Sequence, residues 1–80
     1  MPNELNPRSE AVSAEIRAEM ARQKVSMNSL AMEVGIPVST LRRSVLGQRP
    51  FNIDELHDVA EFLNISMAEL IYNSAVVRSA

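Results

Sequence analysis

Apolar residues first fall into step at Val12, Ile16 and Met20, one every four positions, while Glu10, Glu15, Arg17, Glu19, Arg22 and Lys24 mostly point elsewhere. That spacing predicts an amphipathic first helix running to about Lys24. Asn6-Pro7 offers its start: the Asn side chain can accept from free backbone N–H groups, and Pro at the first helical position lacks only a donor that would be orphaned anyway. Residues 1–8, polar and without period, read as a loose arm. Met27, Leu30, Ala31 and Val34 then predict a short second helix capped by Ser26. Gly35 can close its last turn in a left-handed conformation, and Pro37 discourages helix at Ile36. A third helix over Val38 to Leu46 turns Leu41 and Val45 inward, and Gly47 with Pro50 ends it.

Two further helices are announced by capping boxes, Asn52 with Glu55 and Ser66 with Glu69, in each of which cap and acid accept from one another's backbone. Ile53, Leu56, Val59, Ala60 and Leu63 give the fourth helix its inward face, Met67, Leu70 and Ile71 the fifth, with Ile65 as a staple between them. No alternating strand pattern, internal repeat or low-complexity tract interrupts this pattern. The expected fold is all-α, a compact bundle of five helices.

Composition narrows the function. The 80 residues, 46% hydrophobic and 22% charged, suit one small soluble domain. A chain this short buries only about 60 to 65% of the surface it exposes when unfolded, so its core is thin and dimerisation would help it. Without cysteine there is no disulfide scaffold, thiolate ligand or cysteine nucleophile, and a reducing compartment is expected. No apolar run approaches a membrane span, and Met1-Pro2-Asn3-Glu4-Leu5-Asn6-Pro7-Arg8 lacks a secretory pattern, so the expected location is the cytoplasm, with no membrane partner.

Catalytic chemistry finds little material. His57 stands among Asp54, Asp58 and Glu61, but one imidazole among exposed acids reads as a solvated helix surface, so neither metal nor other cofactor is expected. Two glycines and one histidine build no phosphate cradle or Ser-His-Asp set, so neither enzyme activity nor a small-molecule substrate is expected. Met20, Met27, Met32 and Met67 read as packing residues, and Phe51, Phe62 and Tyr72 are too scattered for a base-stacking platform.

The strongest pattern is Ser26 to Arg43, read as helix, glycine turn, helix. Ala31 is small where the two helices must cross closely, Gly35 permits the turn, and Ile36 and Leu41 fill the angle between them. From Ile16 to Ile71 the chain resembles the Cro/C1-type (XRE-like) repressor DNA-binding domain. The resemblance rests on Leu30-Ala31, Gly35-Ile36, Ser39-Thr40-Leu41, Arg43, Gly47 and Leu63-Asn64-Ile65-Ser66-Met67-Ala68-Glu69-Leu70. It implies a lambda-repressor-like domain over residues 9–73, between the arm and a tail at 74–80, whose third helix enters the major groove of double-stranded DNA. Base-edge contacts then map onto Val38, Ser39, Arg42 and Arg43, and backbone phosphate contacts onto Asn28, Thr40, Gln48 and Arg49, with Arg42 able to serve either way. Three positions depart from the family. Met27 stands where a phosphate-binding Gln is frequent, Pro37 replaces a frequent capping Ser, and Ser44 takes a usually apolar place, which suggests that Val45 and Leu46 share its packing or that the third helix is slightly rotated.

Charge points the same way independently of family. Between Gly35 and Phe51 lie Arg42, Arg43 and Arg49 and no acid, whereas Ile53 to Tyr72 holds Asp54, Glu55, Asp58, Glu61 and Glu69 and no Lys or Arg. Such polarity orients a duplex, while the net charge of −2 restrains indiscriminate binding. The resemblance implies a bacterial or phage-encoded, stand-alone repressor of phage, prophage or plasmid type, homodimeric at least on a palindromic operator, with the fifth helix and Ala75-Val76-Val77 as candidate dimer contacts. The competing expectation is a protein-interaction module on the same fold, an accessory or antitoxin-like partner without sequence readout of its own.

Overall fold

The computed structural model of the chain describes residues 7–72. Four helices are bounded within them, α1 (Pro7–Gln23), α2 (Met27–Val34), α3 (Val38–Val45) and α4 (Ile53–Leu63), and residues 67–72 form a fifth, α5. The all-α, five-helix architecture is the one the apolar spacing implied, and no strand occurs among the described residues. Pro7 and Arg8, the last residues of the expected arm, already belong to α1. Asn6, the rest of the arm and the tail at 74–80 with Ala75, Val76 and Val77 lie outside the described residues.

The C-terminal ends of α1 to α4 are made by the same device. Lys24, Gly35, Gly47 and Asn64 take left-handed backbone angles, with φ of 57°, 72°, 81° and 62°. In each case the next residue's N–H reaches back five positions: Val25 to Met20, Ile36 to Ala31, Gln48 to Arg43 and Ile65 to Ala60, at 2.8 to 3.2 Å. This is the Schellman closure, which satisfies carbonyls that a helix end would otherwise leave without partners. Val25, Ile36 and Ile65 also pack against the core, so three of the four closures fold an apolar residue under the turn. A new cap then follows at once. Ser26 accepts from the Ser29 N–H at 3.0 Å, and Ser66 accepts from the Glu69 N–H at 2.9 Å. Pro37 occupies the equivalent place before α3 and supplies no side-chain cap.

The core gathers Val12, Ile16 and Met20 from α1, Leu30 and Ala31 from α2, Leu41 and Val45 from α3, Leu56, Val59, Ala60 and Leu63 from α4, and Leu70 from α5. α2 packs on both α3 and α4, and α1 packs on the same two helices from its own side. Truncating a wholly buried side chain such as Leu41 or Leu63 to Ala would cost roughly 2–5 kcal/mol.

Four inward expectations are corrected, beginning with Met32, read as a packing residue but 81% exposed on α2. Ile53 is 69% exposed and Ile71 44%. Ile53 lies on the right side of α4 but in its first residue, beyond the surface beneath, and Ile71 sits about 100° around the axis from the buried Leu70. Leu46, expected to share packing with Val45, is 48% exposed, whereas Ser44 itself is fully buried. The polar residue at the apolar place is kept inside by hydrogen bonds rather than replaced by its neighbour.

Candidate nucleic-acid interface

α3 is eight residues long, and successive side chains step about 100° around its axis. Leu41, Ser44 and Val45 therefore share one side, and all three are buried. Ser39, Arg42 and Arg43 fall on the opposite side and are exposed, with Val38 and Thr40 half-buried on the two flanks. Val38 also packs against the core edge. The sequence-expected readers Ser39, Arg42 and Arg43 are thus brought together on one outward face, with Val38 at its margin. Among the described residues neither Arg42 nor Arg43 has an ion-pair partner, so both forks are open to an incoming acceptor.

The surroundings suit an anion. The first turns of α2 and α3 contain no acid, while α4 carries Asp54 and Glu55 in its first turn. Backbone N–H groups at the α3 start are unopposed by any side-chain cap, since Pro37 provides none. Asn28 is exposed in the first turn of α2, and Gln48 is exposed just beyond α3, its own N–H bonded to the Arg43 carbonyl.

Arg49 is placed differently from these. Its guanidinium forks onto Glu55, Nη1 to Oε1 at 3.1 Å and Nη2 to Oε2 at 3.0 Å, and Nη1 also donates to the Ser44 hydroxyl at 2.6 Å. The pair is mostly sheltered, with side chains 27% and 16% exposed. Glu55 meanwhile closes the α4 capping box, accepting from the Asn52 N–H at 3.0 Å while Asn52 accepts from the Glu55 N–H at 2.8 Å. The Arg49 guanidinium, helped by the Asn52 amide, holds the Glu55 carboxyl below its ordinary range against the opposing effect of burial.

Behind the exposed face, α1 holds the end of α3. The Ser13 hydroxyl donates to the Ser44 carbonyl at 2.8 Å and Arg17 Nη1 to the Val45 carbonyl at 2.7 Å. Farther along, Gln23 Nε2 donates to the Leu63 carbonyl at 2.6 Å, closing α4 in the same manner. Among the described residues no buried side-chain nitrogen or oxygen lacks a hydrogen-bond partner. Ser13, Arg17 and Glu55 were not among the sequence-derived site residues. The available cue was a pair of serines, Ser13 and Ser44, on otherwise apolar faces, each of which needs a partner once buried.

Residues 15–74 match the family model of the Cro/C1-type HTH DNA-binding domain. The chain belongs to that family. Membership makes it a DNA-binding helix-turn-helix domain of the transcription-regulator class and not an enzyme. No curated protein matches the chain. Its fold is similar to that of a crystal structure of the clp gene regulator ClgR from Corynebacterium glutamicum, with a TM-score of 0.86 at 21% identity over 95% of this chain and 81% of that one. A second ClgR crystal structure from that organism gives 0.79 at 24% identity, covering 94% and 95%. At these identities the likeness concerns the fold. His57, Asp58 and Glu61 bring ligand atoms within 4.8 Å of one another on the α4 surface, and all three are exposed. No helix among the described residues is long and apolar enough to cross a membrane.

Proposed function

We propose that this Cro/C1-type domain is a sequence-specific regulator of transcription, a repressor of phage, prophage or plasmid type, which reads a palindromic operator as a homodimer inside the cell. The carrying observation is the single outward face of α3, where Ser39, Arg42 and Arg43 stand opposite the buried Leu41, Ser44 and Val45. With α3 in the major groove, Arg43 can donate two bonds to guanine O6 and N7, Arg42 reads a base or grips phosphate, Ser39 bonds a base edge and Val38 meets a thymine methyl. Asn28, Thr40 and Gln48 flank this face at positions suited to the phosphate backbone, where they would fix register. Arg49 joins them only through the N–H groups its fork with Glu55 leaves unused.

One α3 reads only a few base pairs, so useful specificity calls for two copies about 34–36 Å apart on the duplex. Exposed Ile71 and Tyr72 leave apolar surface on α5 for such a pairing. The test is selection of tight binders from a random double-stranded DNA pool at two salt concentrations. The expected result is a palindromic consensus with half-sites one helical turn apart. A pool that stays random at both salts would overturn the proposal in favour of a protein-interaction module.

A further inference from the structure

Ser44 lies directly behind the readers, next in sequence to Arg43, and it is fully buried. Its carbonyl is held by Ser13 from α1, and its hydroxyl accepts from Arg49. The Arg49 guanidinium is in turn clamped by both oxygens of Glu55, and Glu55 is locked to the first turn of α4 by the capping box with Asn52. The polar chain Ser13–Ser44–Arg49–Glu55–Asn52 therefore links three helices at one point of α3. Besides this chain α3 is held by the Arg17 bond to the Val45 carbonyl at the same end, and it has no side-chain cap at its start.

From this geometry we infer that Glu55 is a positioning residue for sequence readout: through the rigid Arg49 fork it sets the orientation of α3, and so which base edges Arg42 and Arg43 meet. The inference rests on the DNA-reading proposal above. The physical reason is stiffness. A bidentate guanidinium–carboxylate pair fixes a plane as well as a distance, and its third bond transmits that plane to a buried hydroxyl. Neither Arg49 nor Glu55 needs to touch a base for this. With the carboxylate neutralised, Arg49 keeps its charge near the duplex but no longer defines where Ser44 sits.

Two variants separate this role from ordinary stabilisation. Glu55→Gln retains an amide oxygen for the Asn52 N–H, and so the capping box, while losing the ionic fork. Arg49→Lys retains the positive charge while losing the coplanar pair of hydrogen bonds. Each is titrated with the selected operator and with a random duplex, and dipolar couplings of α3 amides relative to α1 are recorded in the free protein. The operator-to-random affinity ratio is expected to fall about tenfold in both, on the scale of one directional base contact, with random-duplex binding maintained or increased in Glu55→Gln. An unchanged ratio in both variants overturns the inference, even if both melt earlier, because a merely structural role would produce only the earlier melting. If Glu55→Gln does not fold, Arg49→Lys decides alone. If the wild type itself shows no preference among DNA sequences, the DNA-reading proposal falls, and the couplings decide the strut: a reoriented α3 supports it, an unmoved α3 overturns it.

Discussion

The Ser13 hydroxyl donates to the backbone carbonyl of Ser44 at 2.8 Å, joining the buried side of α1 to the last turn of α3 across 31 residues of chain. Removing that hydroxyl with Ser13→Ala leaves the carbonyl only its second donor, the Gly47 N–H at 3.1 Å. The expected cost is about 1 kcal/mol, a buried hydrogen bond rather than a wholly orphaned acceptor. For a domain of this size that lowers Tm by roughly 4–8 °C, measurable by calorimetry. A variant melting with the wild type would show that the bond contributes nothing net.

That bond also marks where sequence reasoning reaches its end. The helices were legible because their signals are local: the Ser26, Asn52 and Ser66 caps act within three residues, and Gly35 closes a turn within five. The outward grouping of Ser39, Arg42 and Arg43 was legible for the same reason, since periodicity alone assigns sides to α3. Ile53 shows what periodicity omits: it gives direction around an axis but not how far the neighbouring surface extends along it. The Arg49–Glu55 fork and the Ser13–Ser44 bond depend on how loops and distant helices converge, which no spacing encodes. Nor did Lys24 announce its left-handed turn, because a long side chain carries no sign of that conformation, whereas Asn64 carried only the weaker signal of a residue that tolerates it.

The repeated left-handed closure gives opposite expectations at two positions. At Gly35, with φ of 72°, an added Cβ would meet nothing within 4 Å, so Gly35→Ala carries only the backbone penalty. About 1–2 kcal/mol of destabilisation is expected, with still more for the β-branched Gly35→Val. At Lys24, with φ of 57°, the penalty is already present, and Lys24→Gly relieves it, less the extra freedom glycine gains on unfolding. Denaturation by urea should therefore show a lower midpoint for Gly35→Ala and an equal or higher one for Lys24→Gly. A lower midpoint for Lys24→Gly would contradict the backbone account.

Glu55 makes a directional contribution to stability against pH. Its folded pKa is lowered from an ordinary value of 4.5, chiefly by the hydrogen bonds from Arg49. A carboxyl depressed in this way stabilises the fold fully above its unfolded pKa, and the contribution is lost as pH falls through the lower folded value. Tm measured from pH 6 downward should thus fall less steeply below about 4.5 in Glu55→Gln than in the wild type, the difference isolating this group from the other carboxylates. Parallel acid limbs would mean that the fork does not bias the protonation of Glu55.

Arg43 carries the most direct expectation for recognition, because it is exposed on the outward side of α3 with no ion-pair partner among the described residues. Arg43→Ala should cost roughly 1–3 kcal/mol at the base pair it reads and relax the preference there. Loss of charge alone would instead weaken all duplexes together, so Arg43→Lys is the informative companion. A lysine keeps the charge but cannot present two parallel donors to one guanine, and it should restore binding to random DNA while leaving the preference relaxed. Competition of the selected operator against single-base variants resolves the two effects. If Arg43→Lys retained full discrimination at every position, the fork geometry would be irrelevant and Arg43 would belong with the phosphate contacts.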